Sequence, residues 1–375
     1  FQLESGGMKS FMTELKPECM EDILAGNALY RPGPMDFIPQ YIEGKNNRDS
    51  IVYDCPQLEP ILAPTYGCIV YQEQVMQIVR SLAGYSFGRS DLVRRAMAKK
   101  KEKVMEAERQ NFVYGNKAEG VKGCIANGIS EEVANKIYNE MIDFAKYAFN
   151  KSHAAAYAVV SYQTAYLKCH YPIEFMAALM TSVRDNTSKV IHYTMNCKEL
   201  GIPMLSPDIN EGYSDFSVAD GGIRFGMSAI KGIGVNVIER IVAERKSGGA
   251  YTSLQNFLER LASGEVNKHV VENLIKSGAM DSLPGNRHQK VIAYANIMDA
   301  VSKDRRNNMV GQVSLFDLGD EGFAKAKQYP LPNVEEFPKE ELLTYEKEVM
   351  GIYVSGHPLE EYVALMKKLE KNFLL

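Results

Sequence analysis

From Ala154 to His170 the chain offers almost nothing that would interrupt a helix, and Pro172 ends it. The residues before it, Asn150, Lys151, Ser152 and His153, are polar and stand where a helix begins, and Asn and Ser side chains accept from the free N–H groups there. The alanines of this stretch let another backbone come close. Tyr157, Tyr162 and Tyr166, at i, i+5 and i+9, fall near one side of it. A helix start that also carries Lys151 and His153 suits an anion, because orphan N–H groups and the helix dipole both favour negative charge. A capped core helix with a surface lysine accounts for the same residues, and pattern alone leaves both readings open.

A second electrostatic feature lies upstream. Between Arg94 and Lys103 six positive side chains (Arg94, Arg95, Lys99, Lys100, Lys101, Lys103) face a single acid, Glu102. On a helical wheel Val93, Met97 and Val104 form a narrow apolar stripe and the basic residues take about half the circumference. Such a run is often only a solvated face. Here it is nearly single-sign, and the adjacent arginines have planar forks that fit phosphate oxygens. Arg31, beside the rigid turn Arg31-Pro-Gly-Pro34, is a further candidate for an anion or simply a loop arginine.

The whole chain carries a net charge of −4, so a nucleic-acid surface must be a local patch. Its six cysteines are scattered with no C-x-x-C, which fits reduced thiols in a cytoplasmic protein. No apolar run reaches membrane-spanning length, so no membrane partner is expected. The chain opens Phe1-Gln-Leu-Glu without an initiator Met, and we expect it to be a piece of a longer protein.

Along the chain, Glu73–Leu82 reads as a helix with Val75, Ile78, Val79 and Leu82 on one face, and Glu73 and Gln74 as ordinary members of it. Helical patterning continues from Lys103 to Ile125. Ser130 caps a helix whose buried side is Val133, Ile137, Met141 and Phe144. Pro203–Pro207 suggests a domain boundary. Asp215–Phe225 suggests a hairpin turning at Asp220-Gly-Gly222. Phe225 to Val242 reads as helix, hairpin, helix. In its turn, Gly232, Ile233 and Gly234, the glycines let a duplex phosphate approach a helix start while Ile233 plugs the core. A purely structural glycine turn is the alternative. A degenerate second unit is expected at Lys268–Ser282, turning at Ser277-Gly-Ala279. His288–Ser302 is a helix running into an exposed linker, Lys303–Asn308. After it, Gln312, Val313, Ser314, Leu315 and Phe316 read as a docking peptide, with Leu315 and Phe316 filling an apolar pocket and Gln312 setting register. An edge strand is the alternative. Gly351–Val354 is an expected strand and Pro358–Lys371 a last helix.

Several blocks resemble one family. They are Phe149-Asn-Lys-Ser-His-Ala-Ala-Ala-Tyr-Ala, Ser161-Tyr-Gln-Thr, His170-Tyr-Pro-Ile-Glu-Phe-Met-Ala-Ala, Phe1-Gln-Leu-Glu-Ser, Leu29-Tyr-Arg-Pro-Gly-Pro, Tyr71-Gln-Glu-Gln-Val-Met-Gln-Ile and Leu92-Val-Arg-Arg-Ala-Met-Ala-Lys-Lys-Lys. Together they resemble the alpha subunit of bacterial DNA polymerase III, chiefly its fingers, and the likeness covers nearly the whole chain in order. The resemblance implies a mainly α fold with minor β: helical fingers at 1–205, tandem helix-hairpin-helix units with a clamp-binding peptide at 206–330, and a segment at 331–375 leading toward an absent OB-fold.

It implies that Arg31, Arg94, Arg95, Lys99, Lys151, Ser152 and His153 meet the phosphates of a deoxynucleoside triphosphate. It implies that the hairpins meet primer-template DNA and that 312–316 docks on the beta sliding clamp within the polymerase III holoenzyme. Mg2+ is expected on palm aspartates absent from this chain. Pro207-Asp-Ile-Asn210 resembles the start of their signature, but Asn210 breaks it and no Asp-x-Asp occurs anywhere. Two-metal chemistry needs paired carboxylates, so the chain alone is expected to be inactive and Asp208 to be a turn residue. A clamp-tethered DNA-binding adaptor is the competing reading.

Overall fold

The computed structural model describes residues 1–99, 101–145, 147, 149–261, 266–309 and 328–359. Among these residues the chain is mainly α-helical with one small three-stranded sheet. Its backbone packs into two compact units, 1–167 and 168–375, where the sequence had suggested a division near 205.

The first unit contains α1 (Gly6–Leu15), α2 (Met20–Leu29), α3 (Ile38–Asn46), α4 (Glu59–Leu62), α5 (Gln72–Ala83), α6 (Phe87–Ala98), α7 (Glu102–Tyr114), α8 (Glu131–Ala145) and most of α9 (Lys151–His170). Gly6-Gly7 lies inside α1, because the Ser5 hydroxyl accepts from Met8 N–H and starts the helix there. Two cores hold the unit. One joins α4 to α8 around Val75, Ile78, Val79 and Leu82, the face that the period-3.6 spacing predicts. Ile137, Met141 and Phe144 of α8 are buried as expected. The other joins α1, α2 and α3 to α9 through Ala154 and Ala158. These alanines and Ser161, at i, i+4 and i+7, are the buried side of α9, so the close approach expected of small residues is realised.

Two expectations fail here. The basic run does not form one helical face: α6 ends at Ala98 and α7 starts at Glu102, with Lys101 N–H turning back to Ala96 O (3.1 Å). Lys100 lies outside the described residues. Helix also stops at Tyr114, where Gly115 (φ 87°) opens a loop closed by the Asn116–Val121 bridge.

The second unit contains α10 (Pro172–Ser182), α11 (Thr187–Glu199), α12 (Val235–Gly248), α13 (Leu254–Leu261), α14 (Lys268–Lys276), α15 (Arg287–Met309) and α16 (Lys339–Met350) around one core. Strands β1 (Met204–Leu205), β2 (Ser217–Ala219) and β3 (Gly222–Arg224) lie in the order β1-β3-β2. The β2–β3 hairpin turns at Asp220 and Gly221, both with positive φ, as the sequence suggests. Asp208 is the expected turn residue: its carboxylate accepts from Asn210 and Glu211 N–H.

The helix expected before the Gly232 turn shrinks to a 3-10 turn, Met227–Ala229. Residues 227 and 228 donate instead to Tyr213 O and Ser214 O, and Gly226 packs so close to residues 214–216 that a Cβ would collide. The expected linker Lys303–Asn308 is helical, because α15 continues to Met309. No strand forms at 351–354. The buried carboxylate of Glu346 gathers Val354 and Ser355 N–H there instead.

Candidate nucleotide and nucleic-acid sites

The segment Val70–Gln72 runs beside Phe149 in a parallel bridge, with Gln72 N–H donating to Phe149 O (2.9 Å). α5 begins at Gln72 and α9 at Lys151, so two helix starts, each with a positive dipole end, are fixed side by side. Gln74 makes that arrangement rigid. Its buried amide accepts from Val70 N–H (2.8 Å) and Tyr71 N–H (2.9 Å) and donates to Thr65 Oγ1 (2.7 Å) and Ile61 O (3.2 Å). It is no ordinary helix residue, and neither is Glu73. The Glu73 carboxylate accepts from Lys151 N–H (3.0 Å) and Asn150 Nδ2 (3.0 Å), while Asn150 Oδ1 accepts from His153 N–H (2.8 Å). The start of α9 is thus capped by its own asparagine and by a carboxylate from α5.

Arg94 reaches the same place from α6. Its Nη1 donates to Gln72 Oε1 (2.7 Å), and Nε and Nη2 donate to Asp91 Oδ1 (2.9 and 2.7 Å). These hydrogen bonds and the charges of Arg94 and Arg95 hold the Asp91 carboxyl below its usual range. Gln72, Glu73, Met76, Gln77, Arg80, Phe87, Asp91, Arg94 and Asn150 line a cleft of about 520 Å³. It has the size of a small-ligand pocket and opens onto two helix starts and two arginines.

Of the expected phosphate ligands, Arg94 lines this cleft. Arg95 sits one position on, paired with Asp91 (2.7 Å) and with its side chain 63% exposed. Lys99 is exposed in the turn after α6. Lys151 lies with Nζ 5.4 Å from the Tyr71 ring centroid. Ser152 is exposed, and the His153 ring packs on Phe149 and Tyr157. Arg31 stacks 4.1 Å over Phe149 and donates to Tyr147 O (3.1 Å), so it braces the chain entering α9. Arg80 and Gln72 were not foreseen. Gln72, Met76 and Arg80 recur at i, i+4 and i+8 along α5, a stripe beside its buried apolar one that the sequence does display.

In the second unit Gly232 has φ 74°, and a Cβ there would lie 2.7 Å from His269 Nε2. Asn273 Nδ2 donates to Lys231 O (2.8 Å), and Ile233 is buried as expected. Gly234 differs: it is the N-cap of α12, no side chain caps it, and a Cβ there would meet open space. The turn of the second expected unit is not open, since a Cβ on Gly278 would strike the Arg287 guanidinium. Arg287 is itself buried between Asp281 (2.7 Å) and Glu346 (3.1 Å).

Residues 1–120 match the family model described as the bacterial DNA polymerase III alpha subunit finger domain, and residues 201–290 match a helix-hairpin-helix motif. Relatives named DNA polymerase III subunit alpha are 42% identical over 362 residues in Borreliella burgdorferi and 44% over 370 in Thermus aquaticus. One from Vibrio cholerae is 43% identical over 376 residues. The chain belongs to the DNA polymerase III alpha-subunit family. These matches cover 96%, 97% and 98% of this chain but 31%, 29% and 32% of the relatives, so the chain spans about a third of their length. Every residue lining the cleft except Asn150 lies within the finger-domain match, and the Gly232–Gly234 turn lies within the helix-hairpin-helix match. The clamp-peptide residues Gln312–Phe316 lie outside the described residues. No described helix is long and apolar enough to cross a membrane.

Proposed function

We propose that this chain supplies the incoming-nucleotide side of a template-directed DNA polymerase, together with a separate contact for duplex backbone. The triphosphate of a deoxynucleoside enters the cleft between α5, α6 and the start of α9. Arg94 turns its fork from Asp91 and Gln72 toward the phosphates, and the helix starts favour their charge. Arg95, Lys99, Lys151, Ser152 and His153 form a polar rim outside the cleft, and Arg31 keeps the Phe149–Asn150 segment in place. Phosphoryl transfer gains mainly from such positioning and charge stabilisation.

Among the described residues no group of three His, Cys, Asp or Glu side chains could hold a metal ion. No described residue is assigned to the Mg2+ that polymerases use. Gly234 and the start of α12 accept a duplex phosphate without reading sequence. Gln312–Phe316 docks on the sliding clamp as part of a cytoplasmic holoenzyme, a reading supported by the peptide's sequence.

The observation that carries the nucleotide reading is the meeting of two helix starts and Arg94 in one cleft. In primer extension by the intact subunit, Arg94→Ala should lower kcat/KM for the nucleotide by about 10- to 100-fold, the loss of a charge-assisted contact. Unchanged kinetics would remove Arg94 from the site.

A further inference from the structure

Glu73 occupies the position that an arriving phosphate would take at the start of α9. Its two carboxylate oxygens accept from Lys151 N–H and from Asn150 Nδ2, both at 3.0 Å. It is held there from both sides, because it also stands in the first turn of α5, where a negative charge is favoured. Asp91 plays the matching part for the arginine, accepting from Arg94 at 2.7 and 2.9 Å. The cleft lining therefore balances itself, with Arg80 and Arg94 against Glu73 and Asp91.

Resting on the nucleotide reading above, we infer that Glu73 is a built-in competitor for the anion position, so that the cleft admits a polyphosphate and turns away a single phosphate. A ligand with one or two charges at one point can replace the Glu73 carboxylate but gains little by doing so. A chain of phosphates gains more, because it spans the start of α9 and the Arg94 fork together and releases both internal carboxylates to water. Glu73 is half-buried on a flexible side chain and can swing out without moving α5. It thus sets a charge threshold that helps to separate nucleoside triphosphates from monophosphates and orthophosphate. Glu73 is a specificity-determining residue, not a catalytic one.

Primer extension by the intact subunit, at fixed ionic strength and fixed free Mg2+, tests this with tripolyphosphate and orthophosphate as competitors of the nucleotide. The wild type should be inhibited by tripolyphosphate at concentrations at least about tenfold below those needed for orthophosphate. Glu73→Gln keeps a hydrogen-bond acceptor at the cap and removes the charge. It should lower both inhibition constants, orthophosphate by about tenfold and tripolyphosphate by less, so that their ratio shrinks. Glu73→Ala should move the ratio the same way, and thermal unfolding reads separately what the lost cap costs in stability. If Arg94→Ala weakens tripolyphosphate inhibition while Glu73→Gln leaves the ratio unchanged, the competitor role is wrong and the nucleotide cleft stands. If instead Arg94→Ala leaves both inhibition constants and the nucleotide KM unchanged, the cleft reading falls, and this inference falls with it.

Discussion

At the start of α9 a carboxylate from another helix fills the anion position, whereas at the start of α12 no side chain does. Both helices present the same positive end, so the difference lies in what surrounds it. α9 begins beside α5, where Glu73 reaches Lys151, 78 residues further along the chain, and Arg94 reaches Gln72. α12 begins after a glycine with open space before it. A filled start can be selective, because a ligand must outcompete the resident group. An open start accepts any backbone phosphate and suits contact that ignores sequence.

The largest expected effect breaks the first half of this comparison. Gln74→Ala strands two buried N–H donors and two acceptors, and should cost about 3 kcal/mol in chemical denaturation. It should also loosen the pairing of the two helix starts, so that nucleotide KM rises in the intact subunit. Full stability in the variant would mean that the bridge between Tyr71 and Phe149 needs no side-chain anchor.

Gly232→Ala comes next. Its positive φ and the nearby His269 ring should make it about 2 kcal/mol less stable. Gly234→Ala sharpens the contrast, with a stability change below about 1 kcal/mol. Duplex affinity should fall about threefold and depend less steeply on salt, because the methyl group stands where the phosphate approaches. Equal losses of stability at both glycines would reduce the turn to a purely structural one.

How much of this was legible in the sequence depends on range. The apolar face of α5, the Asn150 cap, the β2–β3 turn and the alanine side of α9 are local, and periodicity and turn chemistry reveal them. Glu73 and Gln74 read as ordinary because their partners, Lys151, Asn150, Thr65 and Val70, are partly remote and nothing in the spacing links them. The basic run misleads because charge density says nothing about the helix end at Ala98 and the new start at Glu102 that split it. Residues 226–230 look helical, yet Met227 and Ser228 N–H pair with Tyr213 O and Ser214 O, which the local pattern does not reveal. Arg31 reads as an anion ligand or a loop arginine, and nothing local announces the Phe149 ring on which its guanidinium stacks.

The most direct test of the nucleotide cleft is photo-crosslinking of a deoxynucleoside triphosphate that carries its reactive group on the γ-phosphate, bound to the intact subunit with primer-template. Peptide mapping should place the label on residues 72–80, 87–94 or 150–151, and Arg94→Ala should erase it. Labelling confined to other segments, undiminished by that substitution, would contradict the account.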